Sequence, residues 1–191
     1  MNRNIPHVHE EGESSWKDWS AASSIDEMSK LVIGWLQGRT PVLPWHSGPP
    51  DEETNLIRSQ FIAVNQVSGI MTDNSQPGLE TVYNLQRAFL SGFATPTKLA
   101  ELTRLAETTK LIISTTAELG PDDPIVTQPQ TGSNNFVTYA RATPVDQLFL
   151  PKRTARILSS VSRPFVLYDP VWKSNRMWRL LEESLSHGKD S

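Results

Sequence analysis

From Ile25 onward the apolar residues Met28, Leu31, Val32, Trp35 and Leu36 recur at the spacing that lines one face of a helix. Ser24-Ile25-Asp26-Glu27 just ahead of them has the form of a capping box, and Gly38 offers a stop. A second amphipathic stretch buries Ile57, Phe61 and Val64, and it opens on Asp51, Glu52 and Glu53, whose charges suit the positive end of a helix dipole. Gly69 ends it, and β-branched Ile70 begins a short strand, "GIMT", followed by a polar turn, "DNSQPG".

Beyond Leu85 the period changes. "LQRAFLSGFA" reads as a strand, Thr95-Pro96 as the start of a helix with Leu99, Leu102 and Ala106 on its core face, and "KLIIST" as another short strand. Strand, helix and strand within about 30 residues is a βαβ pattern, for which a parallel pair with a right-handed crossover is expected. Gly120 to Asn135 is a loop by composition, "FVTYA" a strand, Pro151 to Ser162 a helix, "PFVLYD" a buried strand and "SNRMWRLLEESL" a closing helix. The expected fold class is therefore α/β: one small domain of two or three layers with a mixed, partly parallel sheet. Residues 1–15 read as a flexible tail, 16–186 as the domain and 187–191 as a C-terminal tail.

Composition narrows the function classes. A length of 191 residues suits one domain with a sizeable core. With a net charge of −3 there is no overall positive field for a phosphate backbone, so nucleic acid is not the expected partner. No apolar run approaches the roughly 20 residues of a membrane span, and a cytoplasmic location is expected. The absence of cysteine removes disulfides, thiol nucleophiles and cysteine-bound zinc. Glycine-rich phosphate loops, serine-hydrolase elbows and zinc-protease helices are also missing from the sequence.

Candidate chemistry gathers at the expected strand ends, where open α/β sheets bind ligands. "GIMT" leads to Thr72, Ser75 and Gln76, and "FVLYD" to Asp169 and Trp172. Asp73, Asn74 and Ser75 are also ordinary turn formers, Asp169-Pro170 is a common strand exit, and Trp172 can be packing. Arg87 shares a strand face with Leu85 and Phe89, so an inward guanidinium needs an acidic partner such as Glu53 or Asp169, or a ligand; at an edge or a bulge near Gln86 it would face water. His46 is the one histidine outside the tails, with no nucleophile motif beside it, and His7, His9 and Glu10 lie in the N-terminal tail. No metal or cofactor is assigned. Trp16, Trp19 and Trp35 are read as a packing cluster.

The helix ending "WLQG", the start "DEET", "VNQVSGIMTDNSQPG" with its GxxTxxSQPG pattern, "QRAFLSGFA" and "VLYDPVWKSNRMWRLL" together resemble an uncharacterised domain-of-unknown-function family found chiefly in Streptomyces and related actinobacteria and their mobile elements. The resemblance covers most of Trp16 to Leu181. It implies an architecture and recurring positions rather than an activity: Glu53, Thr54, Asn65, Gly69, Thr72, Ser75, Gln76, Pro77, Gly78, Gln86, Arg87, Gly92, Asp169 and Trp172 match. Where members of that family continue "DPxWG", this chain has Lys173.

Three functions are compatible with this sequence. The first is binding of a small polar or anionic, nucleotide-like ligand, with Thr72, Ser75 and Gln76 hydrogen-bonding it and Arg87 neutralising its charge. The second is a hydrolase or transferase with Glu53 or Asp169 as general base. The third is a protein-interaction or immunity-like module anchored by the "PVLPWHS" loop.

Overall fold

The computed structural model describes residues 10–115, 125–130 and 137–186. Among the described residues seven α-helices run as α1 (Glu10–Ala21), α2 (Ile25–Leu36), α3 (Glu52–Leu56), α4 (Arg58–Asn65), α5 (Pro96–Thr109), α6 (Lys152–Val161) and α7 (Arg176–Ser186). Six strands among the described residues run as β1 (Ile70–Gln76), β2 (Asn84–Ala94), β3 (Ile112–Ser114), β4 (Ile125–Pro129), β5 (Thr138–Tyr139) and β6 (Arg163–Trp172). The predicted caps form locally: Ser24 accepts from the Glu27 amide, and Glu27 reaches back to the Ser23 amide and hydroxyl. Asp51 caps α3 through the Thr54 amide at 2.6 Å. Helix α1 begins at Glu10, inside the stretch read as a tail, and His7 and His9 lie outside the described residues.

The sheet corrects the expected fold class. Its order is β3-β6-β2-β4-β5, with β1 also on β2, and every pairing among the described strands is antiparallel. Strands β2 and β3 do run the same way on either side of α5, but β6 lies between them and pairs with both. The βαβ unit is thus split, and no parallel pair forms among the described strands. The local pattern predicts most of the elements, without α1 and β4, and carries no signal that a strand some 50 residues later inserts between two neighbours.

Two further corrections concern length. Strand β1 does not end at Thr72 but continues through Gln76, with a bulge between Thr72 and Asn74 absorbing an extra residue. Strand β4 crosses part of what composition marked as loop. Both stretches are polar, and cross-strand bonding overrides their turn propensity.

Alternate residues of β2 and β6 face opposite ways. Ala88, Leu90, Phe165 and Leu167 join a large core with Trp19, Met28, Leu36, Phe61, Leu102, Leu158 and Trp178 from the helices. Phe89, Val166 and Tyr168 meet Val126 and Ala140 in a small second cluster on the other face. Backbone groups along β1 are taken up by side chains: Ser29 donates to the Ile70 carbonyl, Trp45 to the Asp73 carbonyl at 2.9 Å and Trp178 to the Gln76 carbonyl at 3.2 Å. These contacts protect the strand from pairing with another chain.

Candidate functional site

Three candidate residues bind helices to the sheet. The buried Asn65 at the end of α4 accepts from the Thr72 amide at 3.1 Å and donates to the Thr72 hydroxyl at 2.6 Å and to the Phe61 carbonyl at 3.0 Å. Glu53 on α3 holds the Gln86 amide group through both carboxylate oxygens, at 3.0 and 3.1 Å. Asp169, fully buried in the later part of β6, accepts two hydrogen bonds from Arg176, at 3.0 and 3.2 Å, one from Ser174 and one from the Val171 amide. This is the fork geometry that guanidinium and carboxylate favour. It ties β6 to the start of α7.

The remaining candidates lie toward β4. Gln76 is buried, and it donates to the carbonyls of Arg87 (2.9 Å) and Val126 (3.1 Å) while accepting from Thr127 (2.9 Å). It therefore ties three strands together. Arg87 is half-buried, stacks 4.2 Å above the Trp172 ring and donates from Nη1 to the Ile125 carbonyl at 3.0 Å. Its Nε is buried without a partner, and no carboxylate lies within ion-pair distance of it among the described residues. The register shift between Arg87 and Phe89 in the β2–β6 ladder places the guanidinium over Trp172. Neither Glu53 nor Asp169 is its partner. Ser75 is half-buried; its amide donates to Asn74, and its hydroxyl bonds to no described residue.

Lys173 follows Trp172 with φ of 58°, the left-handed conformation that glycine adopts most easily. The turn expected of a glycine is present with lysine in its place. Its amide donates to the Gln86 carbonyl, and its ammonium pairs with Glu80 at 2.6 Å.

The sequence reads Asp73 as a turn former and does not single out Ser91, Thr143 or Tyr168. The Asp73 carboxyl lies inside the fold, where Ser91 donates to it at 2.7 Å. Burial pushes its pKa up, against the opposing hydrogen bonds from Thr143, Ser91 and nearby backbone. Burial likewise raises the Tyr168 phenol, while the Arg87 charge lowers it. The available signal was an acidic residue in a segment that otherwise alternates like a strand, but Asn-Ser and Pro-Gly beside it pointed to a turn.

A pH effect follows from the raised Asp73 value. The folded protein holds this proton more tightly than the unfolded chain, so the contribution is full below the ordinary aspartate value of 3.8 and is lost as pH rises through the folded-state value. Asp73→Asn should remove that loss: the gap in melting temperature between variant and wild type, in the variant's favour, should widen between pH 4 and 7. A constant gap would contradict the burial of this carboxyl.

Of the tryptophans read as one packing cluster, Trp19 and Trp35 pack on other aromatic partners and Trp16 is not buried. Trp19 is fully buried with its ring 5.2 Å from Trp45, Trp35 meets His46 at 5.1 Å, and Trp16 is exposed. The aromatic groups of the "PVLPWHS" loop thus turn toward α1 and α2. No group of three or more potential metal ligands occurs among the described residues. Two open grooves mark the surface. One, of about 530 Å³, separates Leu56 and Gln60 from Arg176, Arg179 and Glu182; the other, of about 680 Å³, runs along α5 beside Arg163. Neither includes Ser75 or Arg87.

Residues 14–188 match the profile of a domain of unknown function, DUF6919. The chain belongs to this family. Part of the DUF6919 chain is also similar to two fungal enzymes. Over 59 residues, 31% of the chain, it is 44% identical to methylenetetrahydrofolate reductase 2 of Saccharomyces cerevisiae, covering 10% of that protein. Over 98 residues it is 28% identical to methylenetetrahydrofolate reductase 1 of Schizosaccharomyces pombe, covering 44% of the chain and 16% of that protein. The chain therefore spans a small part of the curated relatives that it matches. No helix among the described residues is long and apolar enough to cross a membrane.

Proposed function

We propose that this chain binds a small anionic, nucleotide-like ligand on the sheet surface at Arg87 and Trp172. Arg87 carries the reading. A half-buried guanidinium makes one hydrogen bond and has no carboxylate within ion-pair distance among the described residues, so the N–H groups of its two terminal nitrogens that this bond leaves over are offered to an anion, while the buried Nε is not. Stacking on Trp172 fixes the plane of the fork, which suits two-point recognition of a phosphate or carboxylate. In this reading Gln76 holds the Arg87 backbone in place and Thr72, Glu53 and Asp169 set the strand ends, while Ser75, paired with Leu90, lies on the helix side of the sheet away from Arg87.

The similarity to the reductases covers too little of them to bring their reaction here, but it supports a module that can be built into a metabolic enzyme. A general-base role for Asp169 is disfavoured, because its carboxylate is buried and already accepts four hydrogen bonds.

A thermal-shift screen with purine and pyrimidine nucleotides, their nucleosides and methylenetetrahydrofolate tests the proposal. A ligand present at 100 times its Kd should stabilise the fold by about 2.7 kcal/mol, a rise of about 5–11 °C for a chain of this size. Arg87→Leu should abolish the rise. A folded wild-type sample that responds to none of these compounds would count against ligand binding.

A further inference from the structure

We infer that the outer face of α6, with Phe149 ahead of it, docks on an anionic lipid surface, independently of the Arg87 site. Between Asp146 and Asp169 the sequence holds four cations, Lys152, Arg153, Arg156 and Arg163, and no carboxylate, in a chain whose net charge is −3. Thr154 and Leu158 face inward, Thr154 donating to the Trp19 carbonyl at 2.6 Å, and this leaves Lys152, Arg153 and Arg156 exposed. None of these three has a carboxylate within ion-pair distance among the described residues.

Neither pairing nor packing accounts for these side chains. Lys152 and Arg153 occupy the first turn of α6 with no acid beside them, at the positive end of the helix dipole, where cations are unfavourable. Arg163 differs: at the other end of the helix it donates to the Ser159 and Ser162 carbonyls, a placement that the dipole favours. Phe149 follows the 3-10 turn Val145–Leu148 with φ of 52°, a conformation that glycine takes easily and a bulky residue does not. Its side chain is 66% exposed and belongs to neither apolar cluster. Backbone geometry would select glycine at this position, and the core asks for no aromatic group. Residues that cost a fold stability in this way are kept for what they bind.

The shape and charge of the face decide what covers it. Neither surface groove includes Phe149, Lys152, Arg153 or Arg156, so no trough runs past them to seat a nucleic-acid strand. Phe149 also has no ring partner among the described residues with which to form a platform for successive bases. A projecting apolar side chain beside unpaired cations suits a bilayer surface: the ring enters the interface and the cations meet acidic headgroups. Such contact is peripheral and needs no spanning helix. Glu27 on α2 bounds the face; hydrogen bonds from Ser23 are the main cause of its lowered pKa, and the charges of Lys30 and Arg153 contribute less.

Co-sedimentation with vesicles of phosphatidylcholine alone, and of phosphatidylcholine with about three parts in ten of phosphatidylserine, tests the inference. The wild type should prefer the phosphatidylserine vesicles by about tenfold or more at low salt, and the preference should fade as salt rises. Replacing both Lys152→Gln and Arg156→Gln should bring binding down to the phosphatidylcholine level. Phe149→Gly should bind several-fold more weakly without a loss of melting temperature, because glycine suits the backbone there. Arg87→Leu should bind vesicles as the wild type does. Equal partition onto both vesicles, or a preference that survives in the double variant, overturns the inference. Binding to poly-glutamate with none to the vesicles overturns it also and assigns the face to an acidic polypeptide.

Discussion

Asp169→Ala is expected to lower the melting temperature by about 6–20 °C. The carboxylate is inaccessible and receives two hydrogen bonds from Arg176, one from Ser174 and one from the Val171 amide. Removing one partner of a buried pair typically costs about 3–5 kcal/mol, because the remaining charge stays without its complement. For a domain of this length each kcal/mol moves the midpoint by about 2–4 °C. Arg176 keeps about a third of its side chain in water, 32% exposed, so the loss should fall toward the lower end of that range. Asp169→Asn keeps the shape and one acceptor and should cost about half as much. Thermal denaturation followed by circular dichroism gives the comparison; a drop under 2 °C for Asp169→Ala would mean that the junction of β6 and α7 does not depend on this pair.

Gly78→Ala should be comparably damaging for a steric reason. A methyl group there would lie 2.1 Å from the Ser174 carbonyl oxygen, 2.7 Å from its carbon and 2.8 Å from its nitrogen. All three are backbone atoms, so no rotamer change relieves the overlap. Overpacking costs about 1–3 kcal/mol when side chains can adjust, and a backbone collision should reach or exceed the upper value. The Gly78 amide also donates to Asn175 at 2.8 Å, which the displaced turn would lose. Ser174 serves both positions, since its hydroxyl donates to Asp169. The two substitutions should therefore be less than additive in the double variant. Additive losses of 3 kcal/mol or more each would contradict a shared junction.

How far the sequence could be read depended on the range of the interactions involved. Ser24, Asp51 and Gly69 act within a few residues of themselves, and the helix starts and turn that they predict are present. Pairing of strands is set by partners far along the chain, and β6 separates β2 from β3 because its own apolar run fits between them. The candidate site divides in the same way. Thr72, Ser75 and Gln76 stood out as polar residues in excess of turn chemistry while Asp169 read as a strand exit, and Thr72, Gln76 and Asp169 each have a hydrogen-bonding partner outside their own turn. What one sequence could not show is that Asn65, Thr127 and Arg176 are those partners. Arg87 was legible as a charge needing an explanation. The stacking on Trp172 and the lack of a carboxylate within ion-pair distance among the described residues became visible only once β2 and β6 were placed side by side. Asp73 was hidden because residues that make a good turn can also surround a strand bulge.

The central claim is that the open guanidinium of Arg87 holds an anion. Its most direct test is the affinity of the wild type and of Arg87→Leu for the nucleotide giving the largest thermal shift and for the nucleoside without its phosphate. The wild type should prefer the nucleotide by tenfold or more, and Arg87→Leu should bind both with the wild type's affinity for the nucleoside. A variant that folds normally and retains the full preference for the nucleotide would contradict the account.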